Sequence, residues 1–126
     1  MLNRLRIKAK CQNGSNAIEF ALILPVLTLL LLGIFQFGLA YNNYLAVTHA
    51  AREGARMAAV GKFDESAIRA CAYPASPTSV SVNYPNGDSH GEIVEVTVRC
   101  DIRIDLPMLG VQDIPLTSRA RMRIEV

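Results

Sequence analysis

The chain has 126 residues, of which 51% are apolar, and its positive mean hydropathy assigns part of it to lipid, leaving at most one small water-exposed domain. Four Phe, four Tyr and no Trp exclude a large aromatic binding cleft. The formal charge of +2 is too small to indicate nucleic-acid binding, and it is unevenly placed: of 13 basic and 11 acidic residues, four basic and no acidic ones precede Gly14, which leaves −2 beyond it.

Residues 1–14, MLNRLRIKAKCQNG, carry Arg4, Arg6, Lys8 and Lys10 and end in Asn13-Gly14, a breaker signal, so the segment reads as a basic leader outside the fold. From Phe20 to Ala40 there is no charge, and these 21 residues span roughly 31 Å as a helix, the thickness of a bilayer's hydrocarbon core. The leader beside this run is the positive-inside pattern and holds the N-terminus in the cytoplasm. Pro25 lies early enough to kink the helix without ending it, and Tyr41 and Tyr44 suit the outer interface.

Beyond Tyr41 the pattern turns amphipathic and predicts that the helix continues to about Val60, stopped by Gly61. Ala46, Ala50, Gly54 and Ala58 form one row at four-residue spacing, and Ala51, Ala55 and Ala59 form another beside it. Together they make a smooth strip that lets another backbone approach closely, although alanine is also simply a good helix former. His49, Arg52, Glu53 and Arg56 fall mainly on the other side, with Glu53 and Arg56 at pairing distance.

Glu65 to Ala72 predicts a short helix, broken by Pro74 and Pro77. Ser79 to Tyr84 predicts a strand, and Pro85-Asn86-Gly87-Asp88 a turn with Gly87 at positive φ. Val94, Val96, Val98, Cys100, Ile102, Ile104 and Leu106 alternate strictly with polar residues and define one buried strand face. A loop containing Pro107, Gly110 and Pro115 then leads to a third alternating strand, Leu116 to Val126. Antiparallel pairing of the last two strands would offer Asp101 and Asp105 to Arg119, Arg121 or Arg123.

The expected fold class is an α+β membrane protein, a long N-terminal helix that crosses the membrane, extends into the periplasm and packs on a small antiparallel three-stranded sheet. Its divisions are 1–14, the leader; 15–41, the transmembrane helix; 42–61, the amphipathic stem; and 62–126, the periplasmic strand-rich domain. Removal of the leader takes Cys11 with it and leaves Cys71 and Cys100, an even pair in a compartment where disulfides persist. They read either as a bridge or as two separate apolar thiols.

The junction Gly14-Ser15-Asn16-Ala17-Ile18-Glu19-Phe20 carries the chemistry. Cleavage after Gly14 makes Ser15 the new N-terminus and Glu19 its fifth residue, so that ammonium and carboxylate stand one helical turn apart or pair between neighbouring subunits. A lone charge at the centre of a bilayer costs about 2.5–3.5 kcal/mol and less near its boundary, which gives that pairing its purpose.

Gly14, Ala17, Ile18, Glu19, Phe20, Ala21, Leu22, Leu24 and Pro25, with AAREGAR at Ala50 to Arg56, resemble a type IV prepilin processing site and, more closely, the TadE-like family of tight-adherence (Flp) pilus proteins. The resemblance covers Gly14 to Gly61. It implies a prepilin peptidase that cuts between Gly14 and Ser15, and a product that serves as a minor pilin or pseudopilin in assembling an adhesive filament. The partners it implies are inner-membrane lipid, the peptidase, other pilins and pseudopilins, and the assembly platform. The protein would be single-pass in the bacterial inner membrane, with the leader cytoplasmic and the C-terminal domain periplasmic or extracellular. The strands after Ala72 lie outside the resemblance.

No cofactor, small-molecule substrate or nucleic-acid partner is expected. His49 and His90 are far apart with no Cys at ligand spacing, which argues against zinc, and Asp88-Ser89-His90 is too local to build a nucleophile and base, so no enzyme is expected. Two other readings remain at this level. One is an exported binding domain whose signal peptide is cut after Ala40, against which the apolar run is too long. The other is an uncleaved single-span scaffold or sensor.

Overall fold

In a computed structural model, the backbone is described for residues 2–106 and 110–126, and side chains for 14–105 and 110–126. The elements are α1 (Leu2–Ala59), α2 (Glu65–Cys71), β1 (Pro77–Asn83), β2 (Ile93–Leu106) and β3 (Gly110–Arg123). Two compact units result, one ending at Gln36 and the other Phe37–Val126. The leader's basic side chains and Cys11 lie outside the described residues.

In the first unit α1 runs without a break through Asn13-Gly14, so the expected break there is replaced by helix. Two such residues cost a helix only modestly, and good helix formers stand on both sides. Pro25 is likewise accommodated inside α1. Thr28 Oγ1 donates to the carbonyl of Leu24 at 2.8 Å, which satisfies its hydroxyl within the apolar run. The side chains of Ile18 to Phe35 are exposed throughout, including Leu22 at 71% and Phe35 at 64%.

In the second unit, the last turns of α1 lie on a three-stranded antiparallel sheet of order β1-β2-β3. This is the α+β arrangement that the sequence predicts, a long apolar helix whose end packs on a small sheet. α1 closes with a glycine cap: Gly61 at φ 68° donates to Ala58 O at 3.1 Å and Lys62 N to Met57 O at 2.9 Å, which satisfies two of the helix's last carbonyls. α2 begins on Asp64, whose carboxylate accepts from Ser66 N at 2.9 Å and from Ser66 Oγ at 2.7 Å. Gly87 takes positive φ in the β1–β2 turn, as its place after Asn86 predicts.

The inward row of β2, Val94, Val96, Val98, Cys100 and Ile102, is buried, as the alternation requires. It meets Val47, Ala50, Ala51, Ala55, Ala58 and Ala59 of α1, Ile68 and Ala72 of the α2 segment, and Ile124. Each fully buried valine contributes about 1.5–3 kcal/mol of transfer energy, so this row is the domain's main stabilising element.

β3 departs from expectation. It begins at Gly110 and ends at Arg123, where a start at Leu116 and an end at Val126 were predicted, and Pro115 is paired within it opposite Asp101. Proline is tolerated there because β3 is an edge strand with one side unpaired. The longer pairing sets the register. Arg121 lies opposite Glu95 and forms an ion pair with it, Arg103 pairs with Asp113 at 3.5 Å, and Asp101 accepts from Thr78 Oγ1 at 2.9 Å. Asp101 and Asp105 therefore face Pro115 and Val111 across the ladder rather than the three arginines.

Candidate functional site

At the junction, Gly14 is exposed, and a Cβ built on it would meet nothing within 4 Å. Ser15 and Glu19 are exposed one helical turn apart. Beyond them stands the candidate span, the one helix among the described residues that is long and apolar enough to cross a membrane, none of whose apolar window is buried. A row of leucines, isoleucines and phenylalanines so exposed is unsustainable in water and requires an apolar surrounding. Gln36, near its far end, is half-buried. Phe37 and Tyr41 follow with stacked rings, centroids 6.4 Å apart.

The small-residue strip is placed against the chain's own domain. Ala50, Ala51, Gly54, Ala55, Ala58 and Ala59 are buried and Ala46 is half-buried. Gly54 is the tightest point: a Cβ there would fall 2.9 Å from Ile68 Cδ1 and 3.0 Å from Val96 Cγ1, so α2 and β2 both close on the one position without a side chain. The backbone that approaches this strip is the sheet of the same protein.

On the solvent side Arg56 grips Glu53 with Nε to Oε2 at 3.1 Å and Nη2 to Oε1 at 2.6 Å. The hydrogen bond from Arg56 holds the Glu53 carboxyl below the usual carboxylate range and raises the guanidinium in turn. His49 and Arg52 are exposed beside them.

Cys71 and Cys100 are free thiols in this structure, Cys71 exposed and Cys100 buried. Cys100 Sγ donates to Ser76 O at 3.3 Å, and burial pushes its pKa up. Among the described residues no group of three His, Cys, Asp or Glu is placed to hold a metal ion. A shallow hollow of about 540 Å³ opens between Arg69, Tyr73, Ala75 and Pro77, but Arg69 is occupied there by Glu65 and by the carbonyl of Pro77.

Sequence reasoning missed the part played by Ile68 and Arg69. Ile68 is fully buried over Gly54, and Arg69 ties α2 to the start of β1. Their signal was present, since Ile68 is the one large aliphatic residue in ESAIRAC, but nothing in its spacing shows where it docks.

Comparison with known proteins bears on this helix. Residues 14–56 match the family model described as TadE-like protein. The chain carries a TadE-like segment. It begins at the junction glycine, includes the whole apolar run, and ends at the arginine that pairs with Glu53. No curated protein and no solved structure matches the chain. The TadE-like segment supports a role in pilus-related assembly, structural rather than catalytic, in company with other pilus proteins, and it fits a single-pass membrane protein.

Proposed function

We propose that this protein is a minor pilin or pseudopilin of a tight-adherence pilus, cut after Gly14 by a prepilin peptidase and held in the inner membrane by the helix that follows. The observation that carries this reading is the start of the TadE-like match at Gly14, with an exposed glycine, Glu19 five residues on and an uncharged run beginning at once. Removal of the leader exposes the Ser15 ammonium one turn from Glu19, and their pairing, within one chain or between neighbours, lets both enter the edge of an apolar layer. The exposed faces of the span associate laterally with other pilins and the assembly platform in the membrane, and the sheet domain stands on the periplasmic or extracellular side. The product serves surface adhesion. A bridge between Cys71 and Cys100 belongs to the same proposal as an oxidised form, closed after export.

Two substitutions separate processing from assembly. Gly14→Val leaves a longer, membrane-held precursor in cells that contain the peptidase, detected by its mobility on a gel; normal processing of this variant contradicts the proposed cut. Glu19→Ala is processed normally but abolishes piliation, and wild-type piliation would remove Glu19 from the mechanism.

A further inference from the structure

The alternation that buries one side of β2 turns its other residues to the opposite face of the sheet, together with their partners on β1 and β3. Charge on that face is sorted by position. Toward the β1–β2 turn it carries Arg99, Arg119, Arg121 and Arg123 against Glu95, and toward the other end Asp101, Asp105 and Asp113 against Arg103. Arg121 is held by Glu95, but Arg99, Arg119 and Arg123 are exposed and have no ion-pair partner among the described residues. Arg119, Arg121 and Arg123 follow one another on β3 at every second residue, about 7 Å apart, and Arg99 stands opposite Thr117, the next place in the row. The row is about 20 Å long. Like charges set side by side on a ladder are destabilising, and a face made only to be wet gains nothing from that arrangement.

At its Arg99 end the row opens into a hollow of about 320 Å³ lined by Thr78, Ser79, Arg99, Asp101 and Thr117. Asp101 accepts there from Thr78 Oγ1 at 2.9 Å and keeps further acceptor capacity. A carboxylate accepts from hydroxyl donors and repels anions, so the hollow suits a ligand that presents hydroxyl groups to it and carries its negative charge along the row.

We propose that this face binds an acidic polysaccharide, with one sugar ring in the hollow and the carboxylates of the following rings along Arg119 and Arg123. Other polyanions fit less well. A flat anionic membrane would meet Asp101, Asp105 and Asp113 on the same face. Single-stranded nucleic acid uses aromatic side chains on which its bases stack, and a protein partner uses a buried aromatic or apolar anchor. The described strands offer on this face only Ile93 and Val111 as exposed large apolar side chains, at its two ends. The inference gives the adhesion of the proposed pilin a chemical target, and it rests on that reading only for the place of the sheet domain outside the cytoplasm. Binding itself does not depend on the cut at Gly14.

The test uses the full chain in phosphatidylcholine vesicles and follows the fluorescence anisotropy of labelled polygalacturonate. Binding is expected at low salt and is expected to weaken as salt rises. Arg99→Glu with Arg119→Glu is expected to weaken it at least about ten-fold, whereas Arg52→Glu with Lys62→Glu, an equal change of charge elsewhere, alters it less than about two-fold. Arg99→Gln with Arg119→Gln, which removes charge without reversing it, gives a smaller loss in the same direction. Amide protection at Val96 and Val98 confirms that each variant is folded. Absence of binding, or equal loss in the two charge-reversed variants, overturns the site. Polyglutamate or oligothymidylate bound as tightly as polygalacturonate overturns the polysaccharide assignment in favour of an acidic protein or a nucleic acid. Each of these failures leaves the pilin reading to be decided separately by the N-terminal sequence of the mature chain.

Discussion

Gly54 shows how one residue sets the distance between a helix and a sheet. Glycine inside a helix is unfavourable by about 1 kcal/mol relative to alanine, so a glycine here requires a compensating contact. That contact is the close approach of Ile68 and Val96, both fully buried. Gly54→Val gains a little helix propensity but forces two branched side chains apart, and overpacking of this kind costs about 1–3 kcal/mol, so the second effect wins. Thermal unfolding followed by the β-sheet signal is expected at a lower midpoint for Gly54→Val. An unchanged midpoint would mean that α2 moves aside without cost. Asp64 acts at the same scale. Its hydrogen bonds from Ser66 hold its carboxyl below the ordinary aspartate value. A depressed folded pKa contributes stability that is complete above the unfolded value and is lost as pH falls through the folded one. The amides of Ser66 and Ala67 are thus expected to lose protection on acidification below the usual aspartate range. Asp64→Asn, which keeps an acceptor but no titrating group, removes that dependence, and Asp64→Ala loses the cap at every pH.

At the scale of elements, the parts legible in the sequence were those whose periodicity is enforced by burial on one side. The alternation marks β2 because from Val94 to Ile102 every second residue is buried in the core that the helix closes; the side chain of Leu106 lies outside the described residues. α1 was legible through its uncharged run, and its end through Gly61, whose positive φ an L side chain adopts only with strain. β3 was only half legible. Gly110 and Pro115 read as loop residues because each usually disrupts a ladder, whereas an edge strand requires partners on one side only. That misreading displaced the expected ion pairs, since register propagates along a hairpin: once Gly110 pairs with Leu106, Arg121 must face Glu95. The breaker at Asn13-Gly14 failed for a different reason, because local preferences of about a kcal/mol yield to the continuity of a long helix. The candidate site was legible as a motif, namely Gly14, Glu19 and the apolar run. The use of the alanine strip was not, because small residues at four-residue spacing suit a neighbouring helix and a sheet of the same chain equally well.

At the scale of the whole molecule, the two units have opposite relations to water. From Gly14 to Gln36 the helix exposes nearly all its apolar side chains, while Phe37–Val126 contains a buried core of short aliphatic residues. A fold with that division places its first part in lipid or against other apolar helices, and the TadE-like match over residues 14–56 supplies a pilus context for it. The strands lie beyond the match, and their core is closed by Val47, Ala50, Ala51 and Ala55, which lie within it. The central claim is that the junction at Gly14 is cut and that Ser15 leads the working protein. Its most direct test is the N-terminal sequence of the protein recovered from the membranes of its own cells. The expected chain begins at Ser15, with Glu19 as its fifth residue. A chain beginning at Met1, or at Tyr41, contradicts it.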